Sequence, residues 1–231
     1  MAATATAGQR AAPRTPLSRQ RVHRAALEFV DAHGLAALSM HKLGAELGVR
    51  GMSLYSHVDS KDTLLDGIVT VMWEELELPP AGSTDWRDTL TSFAHALRAL
   101  IHRHPHAAPL LISRPIMSTY HLEVLDAHLR VLRGGGFTHE RAVEVLRTVE
   151  AYALGYALLE VSYLAPQPAR EEDDLARFRR VAAMAPADTP DHLLRLAIHY
   201  CGGCDMNHQF DLGVELMLRG MEPEPSPGRR A

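Results

Sequence analysis

From Val22 to Met221, apolar side chains recur at the three-to-four-residue spacing of amphipathic helices, and no segment keeps the two-residue alternation of a half-buried strand. A chain patterned in this way folds as an all-α protein. The first stripe, Val22, Ala25, Ala26, Phe29 and Val30, buries one face of a helix that Ser18 caps and Gly34 stops. Ser39 starts a second, short helix that buries Leu43 and Leu47 before Gly48 turns the chain. A third helix is expected from Gly51 to His57, and Ser60 caps a fourth that continues towards Leu76. Pro79-Pro80-Ala81-Gly82-Ser83 then reads as a linker.

Beyond the linker, Asp85 caps a helix that ends at Pro105, and Met117–Arg133 forms another, closed by three glycines. Thr138 opens a long helix reaching Leu164. Its apolar positions Val145, Leu146, Val149, Tyr152, Ala153, Tyr156, Ala157 and Leu159 cover more than one face, so it has to pack on two sides at once. Pro166 to Asp188 reads as an acidic loop containing a short helix, and Thr189-Pro190 opens the next helix in cap-then-proline order. The last helix starts at Asp205 and carries Phe210, Val214, Met217 and Met221 on one stripe. The domains expected are a flexible arm over 1–17, a three-helix reader over 18–64, a larger helical unit over 65–222 and a disordered tail over 223–231.

Charge separates these parts. Residues 1–61 hold eight Lys and Arg against four Asp and Glu, whereas residues 62–231 hold 16 against 24, so the small end is basic and the large end acidic. A basic small unit suits a nucleic-acid reader, because phosphate neutralisation dominates such binding. At 46% hydrophobic and 23% charged, the composition is that of a soluble globular protein. No apolar run approaches the ~20 residues of a membrane span, and the N-terminus has no apolar signal segment, so a cytoplasmic location is expected. Two cysteines, Cys201 and Cys204, exclude a disulfide framework. No nucleophile elbow, phosphate loop or H-E-x-x-H motif is present, so no enzyme activity is expected, and nothing calls for a cofactor.

The segment from Leu38 to Lys61 carries the most information. Two short helices joined by a glycine turn make a helix-turn-helix, whose second helix leaves the first steeply enough to enter a major groove. Leu43, Leu47, Val49, Leu54 and Val58 form its core, leaving Arg50, Ser53, Ser56 and His57 to point outward with groups that bond base edges or phosphates. Ser39, at the start of the supporting helix, belongs to the same candidate surface.

Leu43-Gly44, Leu47-Gly48-Val49, Leu54-Tyr55-Ser56-His57-Val58 and Lys61-Asp62-Thr63-Leu64-Leu65 resemble the DNA-binding domain of the TetR family. Gly44 stands where that pattern has alanine, which weakens a helix by roughly 1 kcal/mol on propensity alone. The resemblance implies a DNA-binding repressor in which Tyr55, His57 and Lys61 hold phosphates while His41, Arg50, Gly51 and Ser53 lie near base edges. A packed aromatic at the helix junction is the other reading of Tyr55.

Asp85-Trp86, Arg114-Pro115, Gly136-Phe137, Leu154-Gly155 and Leu218-Arg219-Gly220-Met221-Glu222 extend the resemblance towards the tetracycline-repressor branch. It implies a ligand-binding and dimerisation domain, with the long helix and the last helix forming a four-helix bundle with their copies in a homodimer. Val149, Ala153, Phe210, Val214 and Met217 are the interface residues expected. The branch's pocket asparagine, magnesium-binding histidine and glutamine correspond to Phe93, Leu110 and His128, with Arg114 retained. That change implies a largely apolar effector in place of a magnesium complex, held by Phe93, Leu97, Leu110, Arg114, His128, Tyr152 and Tyr156. Phe93, Leu97 and Leu110 read equally well as core. Two histidine groups invite a metal reading: His102, His104 and His106 around Pro105, and His199, Cys201, Cys204 and His208 around a single C-x-x-C. A lone C-x-x-C lacks the second ligand pair of a zinc site, so no metal site is assigned, and a metal- or redox-responsive regulator is kept as the alternative. The function expected is release from a palindromic operator in double-stranded DNA when a small molecule binds.

Overall fold

The structure is a computed structural model that describes residues 16–77, 85–114, 116–164, 179, 182–186, 188–202 and 205–223. The residues expected to form the arm up to residue 15, the linker from Pro79 to Ser83, residues 166–178, 180, 181 and 187 of the loop expected from Pro166 to Asp188, Cys204 and the tail from residue 224 lie outside the described residues. All the regular elements described are helical, and two compact units divide after Ile68. No helix among the described residues is long and apolar enough to cross a membrane.

In the first unit, α1 (Arg19–His33) starts where the Ser18 hydroxyl accepts the Arg21 N–H and ends at Gly34, whose φ of +80° suits glycine. It buries Val22, Ala26, Leu27, Phe29 and Val30. One 3-10 turn, Leu35–Ala37, leads to α2 (Met40–Glu46), capped by the Ser39 hydroxyl on the Lys42 N–H. Gly48, with φ +65°, makes the turn into α3 (Gly51–Leu54). This helix is three residues shorter than its sequence pattern predicts. Its ladder tightens at once to i−3 bonds, Tyr55 N–H to the Met52 carbonyl and His57 N–H to the Leu54 carbonyl, and the chain leaves the helix through Val58. α4 (Lys61–Glu74) follows, with the Ser60 hydroxyl 3.0 Å from the Thr63 N–H, and the division between units falls within it.

The second unit contains α5 (Trp86–Arg103), α6 (Pro109–Ser113), α7 (Thr119–Gly134), α8 (His139–Leu164), α9 (Asp191–Gly202) and α10 (Met206–Gly220). The sequence pattern contains no stripe for α6, because five residues are too few to establish a period. Helix α8 is the centre of the packing, with α5, α7 and α10 against it. Its 26 residues span about 39 Å at ~1.5 Å each. Leu90, Phe93, Leu97 and Leu100 of α5 meet Val145, Val149, Ala153 and Ala157 of α8 in a core that Phe210, Val214 and Leu218 of α10 complete.

This core corrects the expected dimer contacts. Val149, Ala153 and Phe210 have no exposed surface and Val214 only 2%, so they are consumed inside one chain, and Met217 alone of the set is part-exposed. Periodicity shows that α8 and α10 are apolar on two sides but not which side meets the chain's own helices. The outward side carries Gly155 and Leu159 on α8 and Leu216 and Gly220 on α10.

Candidate DNA-reading surface and effector cavity

The small core of the first unit orients α2 and α3. Leu43, Leu54 and Val58 are buried, while Leu47 and Val49 are partly so. With those side chains turned inward, His41, Arg50, Met52, Ser53, Tyr55 and Ser56 are exposed, as is Lys61 at the start of α4. His41, Arg50, Gly51, Met52 and Tyr55 line one shallow groove along α2 and α3. Tyr55 is 44% exposed, so its ring is not packed away at the helix junction. His57 is half-buried, and its carbonyl accepts the Arg19 Nε–H at 3.1 Å, which ties α1 to the turn after α3.

Not every hydroxyl of the expected set is equally available. Ser39 caps α2, and the Ser56 hydroxyl donates to the Ser53 carbonyl at 2.8 Å. Gly51 is half-buried against α2 and has no side chain to offer. The residue overlooked by sequence reasoning is Met52, 78% exposed between Arg50 and Ser53. An apolar side chain held in water at a candidate base-reading position is itself the signal, because the thymine methyl group is read by apolar contact.

In the second unit a cavity of about 670 Å³ opens between the end of α4 and helices α6, α7 and α8. Trp73, Leu111, Ile116, Met117, Leu122, Leu125, Leu129, Val143 and Leu146 make most of its wall. Arg114, His121, Asp126, Arg147 and Glu150 supply the polar groups. The rings of Trp73 and His121 stack 3.7 Å apart and 10° from parallel. Neither buried nitrogen of His121 has a well-formed hydrogen bond, and Glu150 Oε1 lies 3.8 Å from Nε2, beyond direct bonding reach. Burial holds the His121 imidazole below its ordinary pKa, partly offset by the Ile116 backbone. Burial likewise raises the Glu150 carboxyl, against the attraction of Arg147. In both groups burial disfavours the charged form.

Of the expected effector residues only Arg114 lines this cavity. Phe93 and Leu97 are fully buried, and Leu110 is 3% exposed. His128 packs its ring 4.4 Å from that of Phe93 and donates from Nδ1 to the Val124 carbonyl at 2.7 Å. Burial lowers its pKa, so a neutral imidazole serves as a core side chain with its polar edge satisfied locally. Tyr152 and Tyr156 tie α8 to α10 through the Phe210 and Met206 carbonyls, at 3.1 and 3.2 Å. His121 is about two turns before His128 on α7, and the packing of that helix puts His121 in the cavity wall and His128 against Phe93.

The histidines around Pro105 do not converge. His102 Nε2 is 2.9 Å from Glu160, and His104 Nε2 is 2.9 Å from Glu75. Among the described residues no group of three His, Cys, Asp or Glu is placed to hold a metal ion. Cys204 and the side chains of His199 and Cys201 lie outside the described residues, and His208 is exposed.

A helix-turn-helix with its polar side chains turned out, in one chain with a helical bundle that encloses a cavity, defines a one-component, ligand-responsive transcription regulator. Residues 78–224 match the family described as tetracyclin repressor-like, C-terminal domain. The chain is 34% identical over 217 residues to the HTH-type transcriptional repressor DrrR1 of Streptomyces coeruleorubidus, covering 91% of this chain and 79% of that one. It is 30% identical over 210 residues, 89% of each chain, to the class D tetracycline repressor of Escherichia coli. The crystal structure of ActR from Streptomyces coelicolor in complex with actinorhodin superposes with a TM-score of 0.74 at 28% identity, covering 90% of this chain and 97% of ActR. The chain belongs to the TetR family of transcription regulators.

Proposed function

We propose that this regulator is a homodimeric repressor that occupies a palindromic operator and leaves it when a small organic molecule enters the cavity of the second unit. The observation that carries the reading is the exposure of Arg50, Met52, Ser53, Tyr55 and Lys61 around a helix-turn-helix whose core residues Leu43, Leu47, Val49, Leu54 and Val58 are inside or half inside. Tyr55, His57 and Lys61 hold phosphates and set the register, while His41, Arg50, Met52 and Ser53 read base edges. Gly155, Leu159, Leu216 and Gly220 form the surface that meets the second copy, since small residues let helices approach and the two leucines are 48% and 57% exposed. A dimer places two α3 helices in successive major grooves, and effector binding favours a spacing that no longer matches them.

The effector is largely apolar and is bonded at one end by Arg114, His121 and Glu150. The solved relative ActR holds an organic molecule, actinorhodin. A regulator of this kind works in the cytoplasm, where its DNA is. The test is selection of a duplex from a random pool followed by anisotropy titration. Two symmetric half-sites about one helical turn apart are expected, bound by a dimer. Binding that showed no sequence preference at physiological salt would overturn the proposal.

A further inference from the structure

Helices α2 and α3 meet backbone against backbone at two glycines. A Cβ on the buried Gly44 of α2 would stand 2.8 Å from the backbone nitrogen of Gly51, 2.9 Å from its Cα and 3.0 Å from the Val49 carbonyl oxygen. Reciprocally, a Cβ on Gly51 would lie 3.0 Å from the Met40 carbonyl oxygen and 3.1 Å from the His41 Cα. Cβ atoms essentially never approach other heavy atoms to less than 3.0 Å, and the obstructing atoms are backbone, so a methyl group at position 44 fits only if α3 moves. Alanine is the better helix former by about 1 kcal/mol, so helix propensity favours it at this position. The tertiary contact decides the other way.

The consequence falls on the reading surface. Helix α3 has only four residues, so it behaves as one rigid turn, and its start is the point that touches α2. Arg50 is the N-cap of that turn, Met52 and Ser53 are exposed on it, and His41 of α2 lines one groove with Arg50 and Met52. Hydrogen bonds to base edges weaken steeply with distance and angle, so a shift of a few tenths of an ångström changes which edges those side chains reach. We propose that the Gly44–Gly51 contact is a specificity-determining element, which sets Arg50, Met52 and Ser53 relative to His41 and so selects the operator of this chain. Gly44 acts as a positioning residue and touches no base. The proposal rests on the reading that α2 and α3 face DNA.

The experiment uses the full chain and its Gly44→Ala variant, with thermal melting as the fold control. Each protein selects duplexes from a random pool, and affinities for the wild-type operator and a scrambled duplex are measured across a salt series. For a folded variant, scrambled-duplex affinity within about twofold of wild type is expected, with at least a tenfold fall in the operator-to-scrambled ratio or a changed selected sequence. A folded variant that keeps both the ratio and the selected sequence overturns the proposal. If Gly44→Ala does not fold, Gly51→Ala is read for its selected sequence alone, a change from wild type being expected and an unchanged sequence overturning the proposal, because its contacts are less severe and its Cβ points at α2. Failure of both to fold would show that the contact serves folding alone, and would likewise overturn it. A wild-type chain with no sequence preference would instead defeat the DNA-reading assignment, which separates the two failures.

Discussion

Glu160 of α8 is gripped by both arms of the Arg98 guanidinium of α5, with Nε 2.7 Å from Oε2 and Nη2 2.5 Å from Oε1. The carboxylate is 1% exposed. The same guanidinium donates to Asn207 Oδ1 at 2.7 Å and stands 4.8 Å over the Phe210 ring, so one cation joins α5, α8 and α10. Burial by itself raises the Glu160 carboxyl, but hydrogen bonds from Arg98 and His102 outweigh it and hold the pKa below the ordinary 4.5.

Removing one partner should cost more than the pair contributes. Glu160→Ala leaves the part-buried Arg98 without its carboxylate and is expected to lower stability by about 3–5 kcal/mol in urea unfolding, whereas the Glu160→Leu, Arg98→Met pair should recover much of that loss. Because the folded carboxyl titrates below its unfolded value, its stabilisation is complete above pH 4.5 and is lost as pH falls below it. A single variant as stable as wild type at pH 7 would remove this network from the account.

Three histidines give a second acid effect of the same sign at higher pH. Burial lowers His23, His121 and His128 below the ordinary 6.5, so the folded state resists protonation and stability declines as pH falls below 6.5. Melting temperature should drop between pH 7.5 and 5.5, and His128→Leu should reduce that drop while leaving the other two histidines in place. A melting temperature that rose on acidification over this range would contradict the burial of these rings.

The outward face of α10 can be separated from its inward face by two neighbouring substitutions. Leu216→Glu, at an exposed position, is expected to yield folded monomer by analytical ultracentrifugation with operator affinity reduced at least tenfold. Val214→Glu buries a carboxylate inside the chain and should unfold the second unit. A Leu216→Glu protein that remained dimeric at micromolar concentration would place the interface elsewhere.

On DNA, Lys61→Ala should weaken binding to all duplexes alike and lower the log–log salt slope by about one unit per protomer. Arg50→Ala and Met52→Ala should relax base preference, the latter at a thymine-containing step. An altered preference in Lys61→Ala, with an unchanged slope, would reverse these roles.

Filling the cavity should uncouple sensing from DNA binding. Leu125→Trp narrows the space beside Leu122 and Leu129, so the fluorescence of added 8-anilinonaphthalene-1-sulfonate is expected to fall while operator affinity stays within about twofold of wild type. Undiminished dye binding would mean that the dye, and an apolar effector with it, enters elsewhere.

Much of this protein is decided within a few residues of chain and is legible without a structure. Ser18, Ser39, Ser60, Asp85, Thr138 and Asp205 each bond a backbone N–H two or three residues on, and a side chain that reaches so short a distance announces its helix locally. The helix-turn-helix is equally local, because Gly48 and the run from Leu43 to Val58 contain both helices, the turn and the core between them. What the pattern could not express was direction. Apolar periodicity marks Val149, Phe210 and Val214 as buried, but only the crossing of α5, α8 and α10 assigns them to the chain's own core and leaves Leu159 and Leu216 outside. His128 and His121 are alike as sequence, and the packing of α7 sends one to Phe93 and the other to Trp73. Gly44 weakens a helix by propensity and is required by a neighbour seven residues away, across a turn. Caps and periods depend on short-range bonds and are encoded in place, whereas the choice between two apolar faces depends on which distant surface arrives, and that is settled only when the helices pack.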